Sequence, residues 1–184
     1  MSAQSGGRRD AQRNRQRLLD AALTAFTGES PTVSLESIAK SAGVGIGTLY
    51  RHFPSREALI EAVYRSELEQ LCDQAGDLLR TAQPPDRALR TWLGRYADFV
   101  ATKRGMAEAL REAIASGAVT SAQTRERLSA AIADILTAGA SEGVLRSDVR
   151  PQDVTAAMAG ATLAGIDREQ IDRLLDLLVD GLRP

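Results

Sequence analysis

Residues 34–53 read SLESIAKSAGVGIGTLYRHF and predict two short helices joined by a tight turn. Ser34 can cap the first helix with its side chain, and Gly43 is the residue type that ends a helix in the left-handed conformation. A second short helix is expected from about Gly45 to His52. Two short helices across a glycine-containing turn are typical of a helix-turn-helix, whose second helix lies in the DNA major groove.

The second helix carries most of the candidate DNA contacts. Gly45 and Gly47 have no side chains, so the backbone there can approach a phosphate or a base closely. Ile46 suits a thymine methyl group, and Thr48 can hydrogen-bond a base or a phosphate. The remaining predicted DNA-binding residues, most of them suited to the sugar-phosphate backbone, are Arg13, Ser34, Tyr50, Arg51, His52 and Arg56.

Other interpretations of this stretch are open. GVGIG resembles a nucleotide-binding glycine loop, but such a loop follows a strand and needs a third glycine where Thr48 stands. His52, the single histidine, is half of a conceivable acid–base pair, and Tyr50 is a conceivable core residue. With one histidine and one cysteine, Cys72, the chain offers no metal-ligand set. We therefore expect no catalytic residue, no metal and no cofactor.

Charge is distributed unevenly along the 184 residues, of which 26% are charged. Residues 1–65 hold nine basic and six acidic side chains, a net charge of +3, whereas the whole chain carries −1 and the remainder therefore −4. Five arginines fall within residues 8–17. A basic N-terminal third indicates a polyanionic partner, although a disordered, soluble tail is the simpler alternative.

The rest of the composition predicts an all-α protein. Apolar residues recur at helical spacing, alanine and leucine dominate them, and aromatic content is only 4%. No alternating strand pattern and no repeat occurs, and about nine helices are expected. The single cysteine excludes a disulfide framework. Without a membrane-spanning apolar run or a signal-peptide core, we expect a cytoplasmic protein with no membrane partner.

The run SLESIAKSAGVGIGTLYRHFPSREALIEAVY (34–64) resembles the DNA-binding domain of the tetracycline-repressor (TetR) family. The matching positions are Ile38, Ala39, Ala42, Gly43, Val44, Gly47, Thr48, Leu49, Tyr50, His52, Phe53, Ser55, Glu57 and Leu59. Within the family the chain looks most similar to actinobacterial-type members with AGVGIGTLYRHFPSRE. Three features depart from the family pattern. Gly45 replaces a capping Ser or Thr, Arg56 replaces a Lys, and the turn TGESPTVS (27–34) lacks the common Gly-aromatic pair.

The resemblance implies a homodimeric transcription regulator, usually a repressor, that binds a palindromic DNA operator and is released by a small-molecule effector. It implies a basic disordered arm over residues 1–11, a helix-turn-helix domain over 12–64 and a helical ligand-binding and dimerisation domain over 65–184. The eighth predicted helix opens at Pro151 and the ninth at Asp167 or Arg168. Small residues at 154–166 in the eighth and a wide apolar stripe on the ninth favour a dimer through these two helices. An activator, a ligand-independent regulator, a helical interaction protein and a small enzyme are the alternatives.

Candidate residues of the effector pocket are less specific. An aromatic and methionine series at helical spacing suits either a pocket or an ordinary core. Its members are Trp92, Tyr96, Phe99, Met106, Leu110 and Met158.

Overall fold

The fold is taken from a computed structural model, which describes residues 3–28, 33–81, 83–115, 117, 120–165 and 167–184. Within these ranges the chain is all-α, as predicted, with no strand. The helices are α1 (Ala3–Thr27), α2 (Leu35–Ser41), α3 (Ile46–His52), α4 (Arg56–Arg80), α5 (Pro85–Gly105), α6 (Ala107–Ala115), α7 (Ser121–Ser141), α8 (Pro151–Ala164) and α9 (Arg168–Asp180).

Several helices begin and end at the residues whose chemistry predicts it. The Ser34 side chain accepts a hydrogen bond from the backbone N–H of Ser37 at 3.1 Å, and Asp167 caps α9 in the same way. Gly43, just after α2, has φ +67°, a conformation that costs glycine nothing. Pro151 is the first residue of α8, where its missing N–H is not needed.

The N-terminal arm differs from the prediction. Residues 1–11 were expected to be disordered, but α1 begins at Ala3 and continues without a break into its buried part, which starts at Leu18. Residues 1 and 2 lie outside the described ranges. Alanine, glutamine and arginine are strong helix formers, so a helix anchored at Leu18 extends readily toward the N-terminus.

The first of two structural units comprises Met1–Ser66 and Thr102–Val119. In it α1 contacts α2 and α3, and α2 contacts α3. The segment from Thr102 onward belongs to this unit: Lys103 Nζ lies 5.7 Å from the centroid of the Tyr64 ring. The expected continuous domain of residues 65–184 is therefore interrupted, because α6 and the end of α5 join the first unit.

The second unit comprises Glu67–Ala101 and Thr120–Pro184. Within it α8 contacts both α7 and α9. Trp92 is fully buried, and its indole N–H donates to the Leu71 carbonyl at 2.8 Å, which joins α5 to α4. The hydroxyls of Ser129 and Thr155 lie 3.1 Å apart and form a buried hydrogen bond between α7 and α8.

A series of ion pairs ties α9 to α5 inside the second unit. The pairs are Asp98–Arg168, Arg168–Asp172, Asp172–Arg90, Arg90–Asp176 and Asp86–Arg183. Burial would raise the pKa of Asp172, but hydrogen bonds and charges from Arg168 and Arg90 outweigh burial and hold that pKa below its usual value. The contribution of Asp172 to stability is therefore present above the ordinary aspartate pKa and is lost as the pH falls through the lowered value.

None of the described helices combines the length and the apolar character needed to cross a bilayer.

Close packing at Gly139 in α7 gives a stability prediction. A Cβ there would lie 2.4 Å from Leu145 Cδ1 and 2.9 Å from its Cβ, so Gly139→Ala should lower the free energy of unfolding by about 1–3 kcal/mol. The matched control is Gly76→Ala in α4, where the nearest atom is the flexible Arg80 Nη1 at 3.5 Å. This control should gain about 0.5–1 kcal/mol. Urea denaturation measures both, and a Gly139→Ala protein as stable as the Gly76→Ala protein would contradict the packing.

Candidate nucleic-acid interface

Helix α3 is held in place by its inner side chains. Leu49 is fully buried and Phe53, just after the helix, is 3% exposed. The Arg15 guanidinium of α1 lies 5.4 Å from the centroid of the Phe53 ring, a cation–π distance. Because seven residues are too few for a stable isolated helix, this burial determines both that α3 forms and which of its sides faces solvent.

The outer side of α3 lacks side chains at two glycines and is partly apolar. A Cβ placed on Gly45 or Gly47 would meet no atom within 4 Å. Between and beyond these glycines, Ile46 is 37% and Tyr50 is 48% exposed. Gly45 occupies the N-cap position of α3, and no side chain there makes a capping hydrogen bond, as the sequence predicts.

The polar side chains of α3 contact one another. Arg51 Nη2 donates to Thr48 Oγ1 at 2.9 Å, and Arg51 Nε donates to the Gly47 carbonyl at 3.2 Å. Arg51 is exposed and Thr48 half-buried. His52 is also half-buried, with its ring centroid 6.2 Å from that of Phe53. Thr48, Tyr50 and Arg51 therefore lie on one short helix whose outer side also carries the two bare glycines.

The predicted residues outside α3 have different surroundings. Arg13 is exposed on α1, 3.8 Å from the Asp10 carboxylate. Ser34 is exposed but its hydroxyl oxygen accepts the N-cap hydrogen bond of α2. Both residues are available at the surface, and Ser34 has in addition a structural task.

Arg56 has a structural role that sequence reasoning missed. Its guanidinium donates to the Val33 carbonyl and lies 5.1 Å from the centroid of the Phe26 ring. These contacts link the start of α4 to the end of α1 and to the residue before Ser34. No local signal in the sequence indicates them, because the Val33 contact spans 23 positions.

The first half of α1 adds a basic surface to the first unit. From Arg9 to Arg17 every side chain is exposed except Asn14, which is half-buried. The first buried residue of the helix is Leu18. Residues 9–17 carry four arginines and one aspartate, and so form an exposed, positively charged stretch of helix.

The six candidate pocket residues are buried and are divided between the two units. Met106 and Leu110 lie in the first unit, whereas the other four lie in the second. On α5 the Trp92 and Tyr96 rings stack at 6.3 Å, and the Tyr96 and Phe99 rings lie 6.4 Å apart. An open groove of about 570 Å³ in the first unit is lined by none of the six.

Titratable groups suited to chemistry are sparse in the described part of the chain. In that part, no cluster of three or more histidine, cysteine, aspartate or glutamate side chains could hold a metal ion. Burial raises the pKa of the Cys72 thiol, whose Sγ lies 3.8 Å from the Arg127 carbonyl oxygen. Such a thiol is less reactive than a free one.

Comparison with protein families matches both parts of the chain. Residues 18–63 match the model of bacterial regulatory proteins of the tetR family. Residues 84–184 match the model described as the C-terminal domain of SbtR-like transcriptional regulators. The first match contains the α2–turn–α3 unit, and the second covers more than half of the chain.

Individual relatives agree with the family models. The crystal structure of the TetR transcriptional regulator SCO0520 from Streptomyces coelicolor is 47% identical, with a TM-score of 0.80, and the match covers 92% of this chain and 98% of that one. A TetR transcription regulatory protein from Mycobacterium vanbaalenii is 30% identical, with a TM-score of 0.75 and coverage of 96% and 99%. The HTH-type transcriptional regulator SAR0097 of Staphylococcus aureus (strain MRSA252) is 34% identical over 96 residues, half the length of either chain. The match to other curated staphylococcal regulators spans 34% of their length.

The contacts of Arg56 lead to a prediction on stability. Arg56→Ala leaves the Val33 carbonyl without its donor and removes the guanidinium from Phe26, so the free energy of unfolding should fall by about 1–3 kcal/mol. Arg51→Ala is the control, because Arg51 is exposed and its hydrogen bonds stay within α3. This control should change stability by less than about 0.5 kcal/mol. Chemical denaturation followed by circular dichroism measures both, and equal losses would contradict the role of Arg56.

Proposed function

The chain belongs to the TetR family of bacterial transcriptional regulators, and on this premise we propose that it is a homodimeric DNA-binding repressor. In this proposal each subunit inserts α3 into the major groove of a palindromic operator. The two half-sites are centred about 34 Å apart, one turn of DNA. An activator of the same fold, or a regulator that needs no effector, is the alternative.

The outer side of α3 is the observation that carries the proposal. Folding explains the burial of Leu49 and Phe53, but it does not explain two glycines with empty space around them or two exposed apolar side chains, Ile46 and Tyr50. The major groove admits an α-helix and offers thymine methyl groups to apolar side chains. A bare helix surface with an apolar centre is therefore suited to close approach by DNA.

Several groups of α3 and its N-cap then have a role. Ile46 contacts a thymine methyl, and Gly45 and Gly47 let the backbone come close to the duplex. Tyr50 and His52 contact the sugar-phosphate backbone, which positions the helix without reading sequence. The arginines of α1, Arg13 among them, bind flanking phosphates and make the affinity depend on salt.

The exposed surfaces of α8 and α9 support a dimer. Leu163 on α8 is 74% exposed and Leu177 on α9 is 67% exposed. The exposed side of α8 from Ala156 to Ala164 is otherwise made of alanine and glycine, with no charge. Small residues let a second helix come close, and a second copy of the same surface is the occupant that a two-fold operator requires.

The effector is proposed from the family alone. A small molecule bound in the second unit would change the separation of the two α3 helices through α4, whose residues belong to both units. Because such coupling is reciprocal, the effector and the operator would weaken each other's binding by the same factor. The six buried residues, five of them on α5, α6 and α8 and Met106 between α5 and α6, stay candidates for its pocket.

Gly47→Ala tests the function of α3. Nothing lies within 4 Å of the new methyl group, so the variant should gain up to about 1 kcal/mol in stability. The methyl would occupy space needed by DNA, so affinity for operator DNA should fall about tenfold. Fluorescence anisotropy with a labelled duplex from upstream of the chain's own gene measures the affinity, and thermal denaturation measures the stability.

Gly76→Ala is the control for Gly47→Ala, because it makes the same exchange in α4 of the second unit, and it should leave DNA affinity unchanged. Wild-type protein that binds no upstream DNA even at low salt would contradict the proposed function. A Gly47→Ala protein that binds as tightly as wild type would contradict the docking of α3.

Leu163→Glu tests the dimer. A charge at the centre of the proposed interface should convert the dimer to a monomer without unfolding it, because Leu163 is mostly exposed. Ile114→Glu is the matched control, since Ile114 is an exposed aliphatic residue on α6 of the first unit. Sedimentation velocity distinguishes the two states. Dimeric Leu163→Glu protein, or monomeric wild type, would contradict this interface.

A further inference from the structure

The hydroxyl of Thr48 differs from those of most helical threonines in this chain. On α1, α5, α7 and α8, six threonine hydroxyls donate to the carbonyl four residues earlier, at 2.8–3.0 Å. They are Thr24, Thr27, Thr91, Thr124, Thr137 and Thr162. Thr48 is the third residue of α3, so the residue four positions earlier, Val44, precedes the helix. Its hydroxyl donates to no described residue.

Arg51 occupies the acceptor side of the same hydroxyl. Its Nη2 donates to Thr48 Oγ1 at 2.9 Å while its Nε donates to the Gly47 carbonyl at 3.2 Å. Two hydrogen bonds therefore hold the guanidinium along the helix, next to Thr48. A hydroxyl has one donor and two acceptor sites, so an oxygen that accepts from a guanidinium keeps its hydrogen for another partner.

We infer that Arg51 is a positioning residue that presents Thr48 as a hydrogen-bond donor to an acceptor atom of DNA. The inference rests on the proposed function, because it assigns a role to the outer side of α3. Hydrogen bonds in a chain polarise one another, so the cationic donor strengthens the bond that Thr48 gives. Arg51 thus acts on DNA binding through Thr48 as well as through its own charge.

The chemistry of the partner follows from the donor role. Phosphate oxygens are acceptors, as are the purine N7, guanine O6 and thymine O4 atoms of the major groove. The amino groups of adenine and cytosine are donors, which could use only the remaining acceptor site of the oxygen and would leave the hydroxyl hydrogen without a partner. Thr48 therefore favours an acceptor over a donor if it faces a base edge, and contributes uniformly to affinity if it faces a phosphate.

A double-mutant cycle in DNA affinity tests the inference. The proteins are wild type, Thr48→Val, Arg51→Met and the double variant, and the probe is a 30-bp duplex carrying the site that wild type enriches from a random pool. The loss of DNA affinity caused by Arg51→Met should be at least roughly threefold larger in wild type than in the Thr48→Val background. The reason is that the effects of substitutions at two residues that act together do not add. Arg125→Met, an exposed arginine on α7, controls for the lost charge.

Two further variants separate positioning from a merely structural role. Thr48→Ser keeps the hydroxyl and should keep the coupling to Arg51, whereas Arg51→Lys keeps the charge but lacks the two-point geometry and should lose most of the coupling. Thermal denaturation checks that all variants fold. Additive losses in folded proteins would overturn the inference while leaving the proposed function intact.

Failure of wild type to enrich any site would overturn the proposed function and the inference together. Repeating the selection with Thr48→Val identifies the source of the acceptor. A changed base preference at one position places the acceptor on a base edge, and an unchanged consensus with uniformly lower affinity places it on a phosphate. If the double-mutant cycle shows coupling between Thr48 and Arg51, either outcome of the selection supports the role of Thr48 as a donor.

Discussion

The burial of Leu49 is the interaction on which the surface of α3 depends. This helix has seven residues, and its first turn begins at a glycine that offers no side-chain cap. Neither its length nor its capping is enough to keep α3 helical. Replacing a buried leucine with alanine typically costs roughly 2–5 kcal/mol of folding free energy, so the burial of Leu49 is the larger contribution. Because Leu49 faces the core, Ile46, Gly47 and Tyr50 face outward. The proposed DNA surface is thus a consequence of core packing on the opposite side of the same helix.

The neighbouring contacts maintain that geometry from both ends. Gly43 turns the chain between α2 and α3 with a positive φ. Arg56 connects the start of α4 to the Val33 carbonyl and to Phe26. An arginine that a sequence motif assigns to phosphate therefore also has structural contacts inside the first unit.

Local chemistry was sufficient to predict most helix boundaries. The Ser34 hydroxyl can cap a helix and Gly43 can adopt a positive φ, so these two residues predict both ends of α2 from the sequence. Over residues 1–11, exposed arginines suit a disordered tail and an exposed helix equally well, so the sequence alone does not choose between them. The contact of Arg56 and the return of α6 to the first unit depend on residues far apart in the chain, which no local pattern records. The buried state of Trp92 and Met158 likewise does not distinguish a pocket from a core.

The central claim is that two copies of α3 read a two-fold-symmetric DNA site. The most direct measurement is selection of duplexes from a random pool by the full chain at low salt, followed by sequencing of the bound fraction. We expect one enriched, palindromic site whose half-sites are centred about one helical turn, or roughly 34 Å, apart. No enrichment would contradict sequence-specific DNA binding, and an enriched site without two-fold symmetry would contradict the dimer.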